Sequence, residues 1–170
     1  MDTKRMRGPG MLWLSAAMAA GGCTDPGGAQ DLPPNAQLMA STEVVIDQVT
    51  AQSSGIEVAA RRLISDAGVW AATWSEIHST VRPEPALPNI DFAGSVVVVA
   101  AMGTKPTGGH TIEIEGVYRA DDRLYVVVRE TSPGSNCMTT QALTAPVVAV
   151  SVEKTGLPVS FVERRETVSC

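Results

Sequence analysis

The chain has 170 residues, of which 44% are hydrophobic, 18% are charged and 4% are aromatic, and its formal net charge is −5 at pH 7. This length and apolar content are typical of one domain with its own hydrophobic core. An acidic chain without a basic run lacks the clustered lysines and arginines that phosphate contacts need, so the composition argues against nucleic-acid binding.

Residues 1–22 have the pattern of a secretory signal peptide. Three cations precede an apolar run at residues 11–20, and small residues then lead to Cys23. The run is shorter than the roughly 20 residues that a membrane-spanning helix needs. Removal of this segment takes away one acid and three bases and changes the formal charge from −5 to −7.

The sequence Ala20-Gly21-Gly22-Cys23 resembles the lipobox of bacterial lipoproteins, whose cysteine is acylated and becomes the mature N-terminus. The resemblance implies lipidation at Cys23 and an exported protein anchored to the bacterial cell envelope, at the periplasmic or surface face of the outer membrane. The alternative is an ordinary signal peptide with an incidental cysteine. Residues 23–42 are rich in glycine, proline and polar side chains, which predicts a flexible tether.

Residues 43–170 are predicted to form a single β-rich domain. Its first strands are expected at Glu43–Thr50 and Ile56–Ile64. Asp66 then has the character of a helix N-cap, because its carboxylate can accept hydrogen bonds from the first turn.

The predicted helix ends near Ser79, before a proline-rich segment. Trp70 and Trp74 lie one helical turn apart and belong to one apolar stripe. Two tryptophans at this spacing could line a binding groove, but packing against a sheet is the interpretation that the pattern favours.

The centre of the domain is a buried strand, a glycine turn and a second strand. Ser95–Met102 is an uncharged, β-branched run, typical of a strand that is buried on both faces. Gly103–Gly109 predicts a turn in which Pro106 fixes one φ angle and Gly108–Gly109 allow positive φ. Thr111–Tyr118 alternates apolar and acidic residues, which predicts a half-exposed strand in a hairpin with the first.

Three later strands are expected at Leu124–Glu130, Pro146–Val152 and Val159–Thr167, with a loop at Thr131–Thr140 between the first two. Strands dominate, and one helix comes early in the chain. We therefore predict an α+β fold that is mainly antiparallel β, as one sheet or a small sandwich with a single amphipathic helix packed on it.

Cys137 and Cys170 remain when Cys23 is assigned to lipid. An even pair of cysteines in an exported protein predicts a disulfide. The alternative is a reactive or metal-binding pair, but no cluster of histidine, cysteine or carboxylate residues in the sequence has the spacing of metal ligands. No metal and no cofactor are expected.

The sequence lacks the common catalytic motifs. Gly103 and Gly108 match the first spacing of a P-loop, but Gly109-His110 stand where lysine and serine or threonine are required, and a strand follows instead of a helix. There is no Gly-x-Ser-x-Gly elbow and no His-Glu-x-x-His. His110 could be a general base, but no nucleophile with an orienting acid accompanies it. We expect a protein that is not an enzyme and has no small-molecule substrate.

Several motifs occur in a fixed order along the chain: Trp70-x-x-x-Trp74, Asp91-Phe92, Gly-x-x-Pro-Thr-Gly-Gly-His-x-Ile at 103–112, Leu-x-Val-x-Val at 124–128, Pro133-Gly134, and Gln-Ala-Leu-Thr-Ala-Pro at 141–146. Together, from Ile56 to Val168, they resemble the PrcB C-terminal domain family, named after the accessory lipoprotein of a surface protease complex. His110 departs from the family, which usually has tyrosine or phenylalanine there, so a partner contact through that ring would be altered here.

The resemblance implies a non-catalytic module that binds a protein partner, as an accessory or stabilising subunit of a secreted or envelope protease complex. The predicted contact loop consists of Lys105, Pro106, Thr107, Gly108, Gly109 and His110. The alternative for these residues is a purely structural glycine turn.

Two other functions remain open at this point. Lys105–His110 is also similar to the Asn-Pro-Thr-Thr-Gly-aromatic loop of chagasin-type cysteine-protease inhibitors, which are immunoglobulin-like β domains. Their Arg-Pro-aromatic loop has no counterpart, because Glu84 follows Arg82-Pro83. A structural envelope lipoprotein without a defined partner is the other possibility.

Overall fold

The computed structural model describes residues 32–170, so the predicted signal peptide and Cys23 lie outside the described residues. The elements in this range are β1 (Gln37–Leu38), β2 (Ser41–Glu43), α1 (Gln48–Gln52), β3 (Ala60–Ile64), α2 (Ala67–Ile77), β4 (Ser95–Ala101), β5 (Thr111–Arg119), β6 (Leu124–Pro133), β7 (Val147–Glu153) and β8 (Val159–Val168). Within this part of the chain, no helix has the length and apolar character needed to cross a membrane.

The strands form two four-stranded sheets. The first sheet has the order β1-β5-β6-β8, and the second has the order β2-β7-β4-β3. All neighbouring strands are antiparallel except β6 and β8, which run parallel. The predicted α+β class with mainly antiparallel strands is confirmed, and of the two forms predicted the structure adopts the small sandwich.

Strand β4 is buried on both faces, as its sequence predicts. Its even-numbered residues pack with Val126 and Val128 of the first sheet, and its odd-numbered residues pack with Trp70 and Trp74 of α2. Alternate side chains of a strand point to opposite faces, so a run without charge is suited to a strand between two apolar layers. The layers are therefore α2, the second sheet and the first sheet, and the predicted packing role of the two tryptophans is confirmed.

Helix α2 begins and ends close to the predicted positions. The carboxylate of Asp66 accepts hydrogen bonds from the backbone N–H groups of Gly68 and Val69 at 2.8 and 3.0 Å. The helix ends at Ile77, and the indole N–H of Trp74 donates to the carbonyl of Pro85 at 3.0 Å. This bond fixes the proline-rich segment that follows the helix.

The sheets begin earlier than predicted, because β1 and β2 lie within the segment expected to be a tether. Gln37–Leu38 pairs with β5, and Ser41–Glu43 pairs with β7. Both strands are short, and all of their residues are exposed. They are held by backbone hydrogen bonds to the edges of longer strands, an interaction that leaves no apolar periodicity in the sequence.

The strand predicted at Glu43–Thr50 is wrong. Asp47 caps the short helix α1 there, and its side chain accepts from the N–H groups of Val49 and Thr50 at 3.1 Å each. Of the strand predicted at Ile56–Ile64, only Ala60–Ile64 pairs, with β4.

Strands β4 and β5 do not form the predicted hairpin. Both edges of β4 are occupied, by β3 and β7, whereas β5 pairs with β1 and β6 in the other sheet. The connection between β4 and β5 therefore crosses from one sheet to the other at the end of the sandwich.

The remaining strands agree with the prediction except at their ends. Strand β6 continues past Glu130 to Pro133, so the loop expected at Thr131–Thr140 begins later. The disulfide between Cys137 and Cys170 is present. It links residues 33 apart and joins the C-terminus to the loop after β6. In the chain-entropy model, closing a loop of this length stabilises the folded state by about 4 kcal/mol.

Candidate functional site

The predicted contact loop, Lys105–His110, lies along the loop between β6 and β7. Lys105 and Thr144 exchange backbone hydrogen bonds of 2.7 and 3.0 Å, and the N–H of Gly108 donates to the carbonyl of Thr140 at 3.0 Å. The hydroxyl of Thr144 donates to the carbonyl of Thr107 at 2.8 Å. Residues 103–110 and 134–146 thus form one hydrogen-bonded surface, which we call the loop-pair surface.

Glycine is required in this loop for two different reasons. Gly103 and Gly109 have positive φ angles of 68° and 85°, whereas Gly108 does not, so the prediction of positive φ is correct for Gly109 and wrong for Gly108. Gly108 permits close approach instead, because a Cβ there would lie 2.3 Å from the Thr140 hydroxyl oxygen. At Gly103 a Cβ would lie 2.6 Å from the backbone nitrogen of Ala59.

His110 is half-buried between the contact loop and β6. Its Nδ1 lies 3.2 Å from the hydroxyl oxygen of Ser132, and its Nε2 lies 3.5 Å from that of Thr107. Burial lowers the pKa of His110 below its usual value, and the charge of Lys105 lowers it further. The ring hydrogen-bonds to hydroxyl groups and not to a carboxylate, so it lacks the orienting acid of a catalytic triad.

The loop-pair surface exposes two large apolar side chains that the sequence analysis did not select. Met138 is 101% exposed and Leu143 is 71% exposed. Leu143 also lines a groove of about 240 Å³ with Thr104, Ser79 and Thr80. The signal that could have identified Leu143 is its place in the motif at 141–146, where an apolar residue occurs without strand or helix periodicity.

A second group of polar residues lies between the two sheets. Arg61 of β3 reaches across to the first sheet, where its guanidinium donates to Glu130 at 2.5 Å and to both oxygens of Glu163 at 2.8 Å. Its remaining N–H groups donate to the carbonyls of Ala60 and Ala101 at 2.9 and 2.8 Å. All five N–H groups of the guanidinium are therefore used within the domain.

Burial opposes the charge of Arg61, but the hydrogen bonds that Arg61 donates to Glu163 and Glu130 outweigh this effect and raise the pKa of Arg61. The sequence analysis did not select Arg61 as a site residue. A signal was present in β6, where Glu130 continues the inward-facing series that contains Val126 and Val128. An inward carboxylate needs a partner.

Beside this network lies an open cavity of about 400 Å³, which we call the inter-sheet cleft. Its lining residues are Ala59, Ala60, Arg61, Met102, Lys105, Glu130, Glu163 and Arg165. Arg165 approaches Glu130 at 3.5 Å, whereas its neighbour Arg164 pairs with Glu115 at 2.7 Å. These two arginines therefore point to opposite faces of the first sheet.

No group of three or more histidine, cysteine, aspartate or glutamate residues that could hold a metal ion occurs in residues 32–170. The loop-pair surface carries exposed apolar side chains, and charged side chains line the inter-sheet cleft.

Comparison with known families gives a match in the central part of the chain. Residues 96–153 match the family model described as PrcB C-terminal. The matched segment runs from β4 to β7 and contains both halves of the loop-pair surface. It confirms the resemblance for this central part of the chain, while α2 and β8 lie outside it. No curated protein and no solved structure matches the chain.

Proposed function

We propose, from the membership of residues 96–153 in the PrcB C-terminal family, that the chain is a non-catalytic binding module of a secreted or envelope protease complex. Its role there is that of an accessory or stabilising subunit. The family match supports the association with a protease complex.

The observation that carries the proposal is a pair of exposed apolar side chains on a cross-linked loop. Met138 and Leu143 project from the loop between β6 and β7, which hydrogen bonds join to the contact loop and the disulfide at Cys137 ties to the C-terminus. Large exposed apolar side chains on such a loop are favourable anchors for a protein partner, because their burial gains free energy and a cross-linked backbone needs little further ordering.

The proposed location is the bacterial cell envelope, with membrane attachment through lipid on Cys23. The support for it is the signal-peptide pattern and the small-residue sequence before that cysteine. Metabolic labelling with a fatty-acid analogue should label the wild-type protein, and replacing Cys23 with serine should abolish the label. Equal labelling of the variant would contradict a lipid anchor at this residue.

A pull-down from native envelope tests the partner proposal. Tagged wild-type chain should recover a protease, identified by its sequence and its activity, and the Met138→Ser/Leu143→Ser variant should lose it. The matched control is Val69→Ser, which also replaces an exposed apolar side chain. Val69 lies near the start of α2, whereas Ser79, which lines the groove beside Leu143, follows the end of that helix. Equal recovery by the wild type and the loop variant would contradict the proposal, and recovery of bulk envelope material alone would favour a structural lipoprotein.

A protease inhibitor, the alternative function, would use the contact loop Lys105–His110 in a different way. An inhibitory loop has to present its backbone to the protease, but the N–H groups of Lys105 and Gly108 and the carbonyl of Thr107 are engaged by residues 140–144. This arrangement supports the accessory role. An activity assay of the recovered protease separates the two, since an accessory subunit maintains or extends activity and an inhibitor abolishes it.

A further inference from the structure

Two of the three cations that line the inter-sheet cleft have donor groups without a hydrogen-bond partner among the described residues. Arg61 has no N–H group left for a ligand, because its five donors reach two carboxylates and two carbonyls. Arg165 makes one long contact with Glu130 through Nε, at 3.5 Å, and its two terminal nitrogens make no hydrogen bond within the described residues. The ammonium group of Lys105 likewise makes no ion pair in residues 32–170.

We propose that the inter-sheet cleft binds one carboxylate of a partner polypeptide through Lys105 and Arg165. The guanidinium of an arginine offers two parallel donors that fit a carboxylate, and a lysine adds a compact positive charge. Both side chains line the same cavity of about 400 Å³, together with the apolar side chain of Met102.

The charges of the cleft favour a carboxylate over a phosphate. Three cations and two carboxylates line it, which leaves a net charge of +1. Glu130 and Glu163 repel any second negative charge of a ligand, so a monoanion fits this balance better than a dianion. The two carboxylates stay in place because Arg61 holds them.

Lys105 connects the cleft with the loop-pair surface. Its backbone is bonded to Thr144 on both its N–H and carbonyl sides, so its side chain starts from a fixed position. One polypeptide can therefore cover Leu143 and place an acidic group in the cleft. The inference rests on the proposed function only for the identity of that polypeptide.

Titration of the full chain in detergent with short peptides, followed by backbone amide NMR, tests the cleft without a protease. The probes are an alanine-rich peptide amide with one glutamate, the same peptide with glutamine, and an alanine-rich peptide with a free C-terminal carboxylate. We expect saturable shifts at Met102 and Lys105 with the glutamate peptide and none with the glutamine peptide. The third probe shows whether a side-chain or a terminal carboxylate binds more tightly.

Two variants and a control assign the binding to the proposed side chains. Lys105→Met and Arg165→Met should each weaken the binding about tenfold, the usual effect of losing one charge-assisted hydrogen bond. Arg164→Met removes the same charge from the opposite face of the sheet and should leave the affinity unchanged. Equal weakening by Arg164→Met, equal binding of the glutamine peptide, or tighter binding of inorganic phosphate would overturn the assignment.

The outcomes for the cleft and for the proposed function are separable. Peptide binding at the cleft together with a failed protease pull-down would retain the carboxylate site and reject the protease partner. A successful pull-down that is insensitive to Lys105→Met and Arg165→Met, with no peptide shifts, would reject the carboxylate site alone.

Discussion

Replacement of Arg61 by methionine should destabilise the domain strongly, because this residue joins the two sheets. Its side chain is 16% exposed, and those of its partners Glu130 and Glu163 are 11% and 30% exposed. Methionine retains the apolar part of the side chain but leaves both carboxylates without their main donor. Removal of one partner from a buried ion pair typically costs about 3–5 kcal/mol, and the partial exposure of Glu163 places this case near 3 kcal/mol.

The next residue provides a matched control. Arg62 pairs with Glu76 at 2.5 Å, but their side chains are 33% and 41% exposed, so Arg62→Met should cost less than about 1 kcal/mol. Urea unfolding followed by the fluorescence of the buried tryptophans measures both free energies of unfolding. Similar losses for Arg61→Met and Arg62→Met would show that burial of the Arg61 network does not control its contribution to the free energy of unfolding.

Three further predictions concern the loops and the stability of the fold at acid pH. Gly103→Ala should lower the free energy of unfolding by about 2 kcal/mol more than Gly156→Ala. Both glycines have positive φ, but only Gly103 lies against neighbouring backbone. Equal losses of stability in thermal unfolding would contradict this prediction. Lys105→Met should raise the pKa of His110 measured by NMR titration, while burial keeps this pKa below 6.5. An unchanged pKa would show that the charge of Lys105 does not act on His110. The hydrogen bond from its arginine partner lowers the pKa of Glu76 below 4.5, so this pair stabilises the fold above pH 4.5 and the effect is lost as the pH falls through the lowered pKa. Glu76→Gln should therefore flatten the acid limb of the stability profile, and an unaltered limb would contradict the shift.

The elements that could be predicted from the sequence are those with a strong local pattern. Strand β4 has an uninterrupted β-branched run, and α2 has an aspartate N-cap followed by tryptophans one turn apart. In both cases the residues that define the element also make its main contacts in the core. Local sequence and tertiary packing therefore favour the same structure.

The errors lie where pairing depends on distant residues. Nothing in Gln37–Leu38 or Ser41–Glu43 shows that the edges of β5 and β7 are open to them. The predicted hairpin failed for a similar reason, because β3 and β7 occupy both edges of β4 and force the next strand into the other sheet. Strand order is a property of the whole fold, and adjacency in sequence is only a guide to it.

The candidate site was predicted only in part for the same reason. Its motif located the loop at Lys105–His110, but the second loop that supports it is more than thirty residues away in the sequence. The cleft depends on the parallel register of β6 and β8, which places Glu130 beside Arg165. No local pattern in either strand specifies that pairing.

Site-specific photo-cross-linking from the loop-pair surface tests whether a protease binds there. A photoreactive residue at position 143 and, as a control, at position 69 would be activated in native envelope, and the adducts would be identified and assayed for proteolytic activity. We expect a protease adduct from position 143 and none from position 69. A protease adduct of equal yield from both positions, or no protease adduct from position 143, would contradict binding through the loop-pair surface.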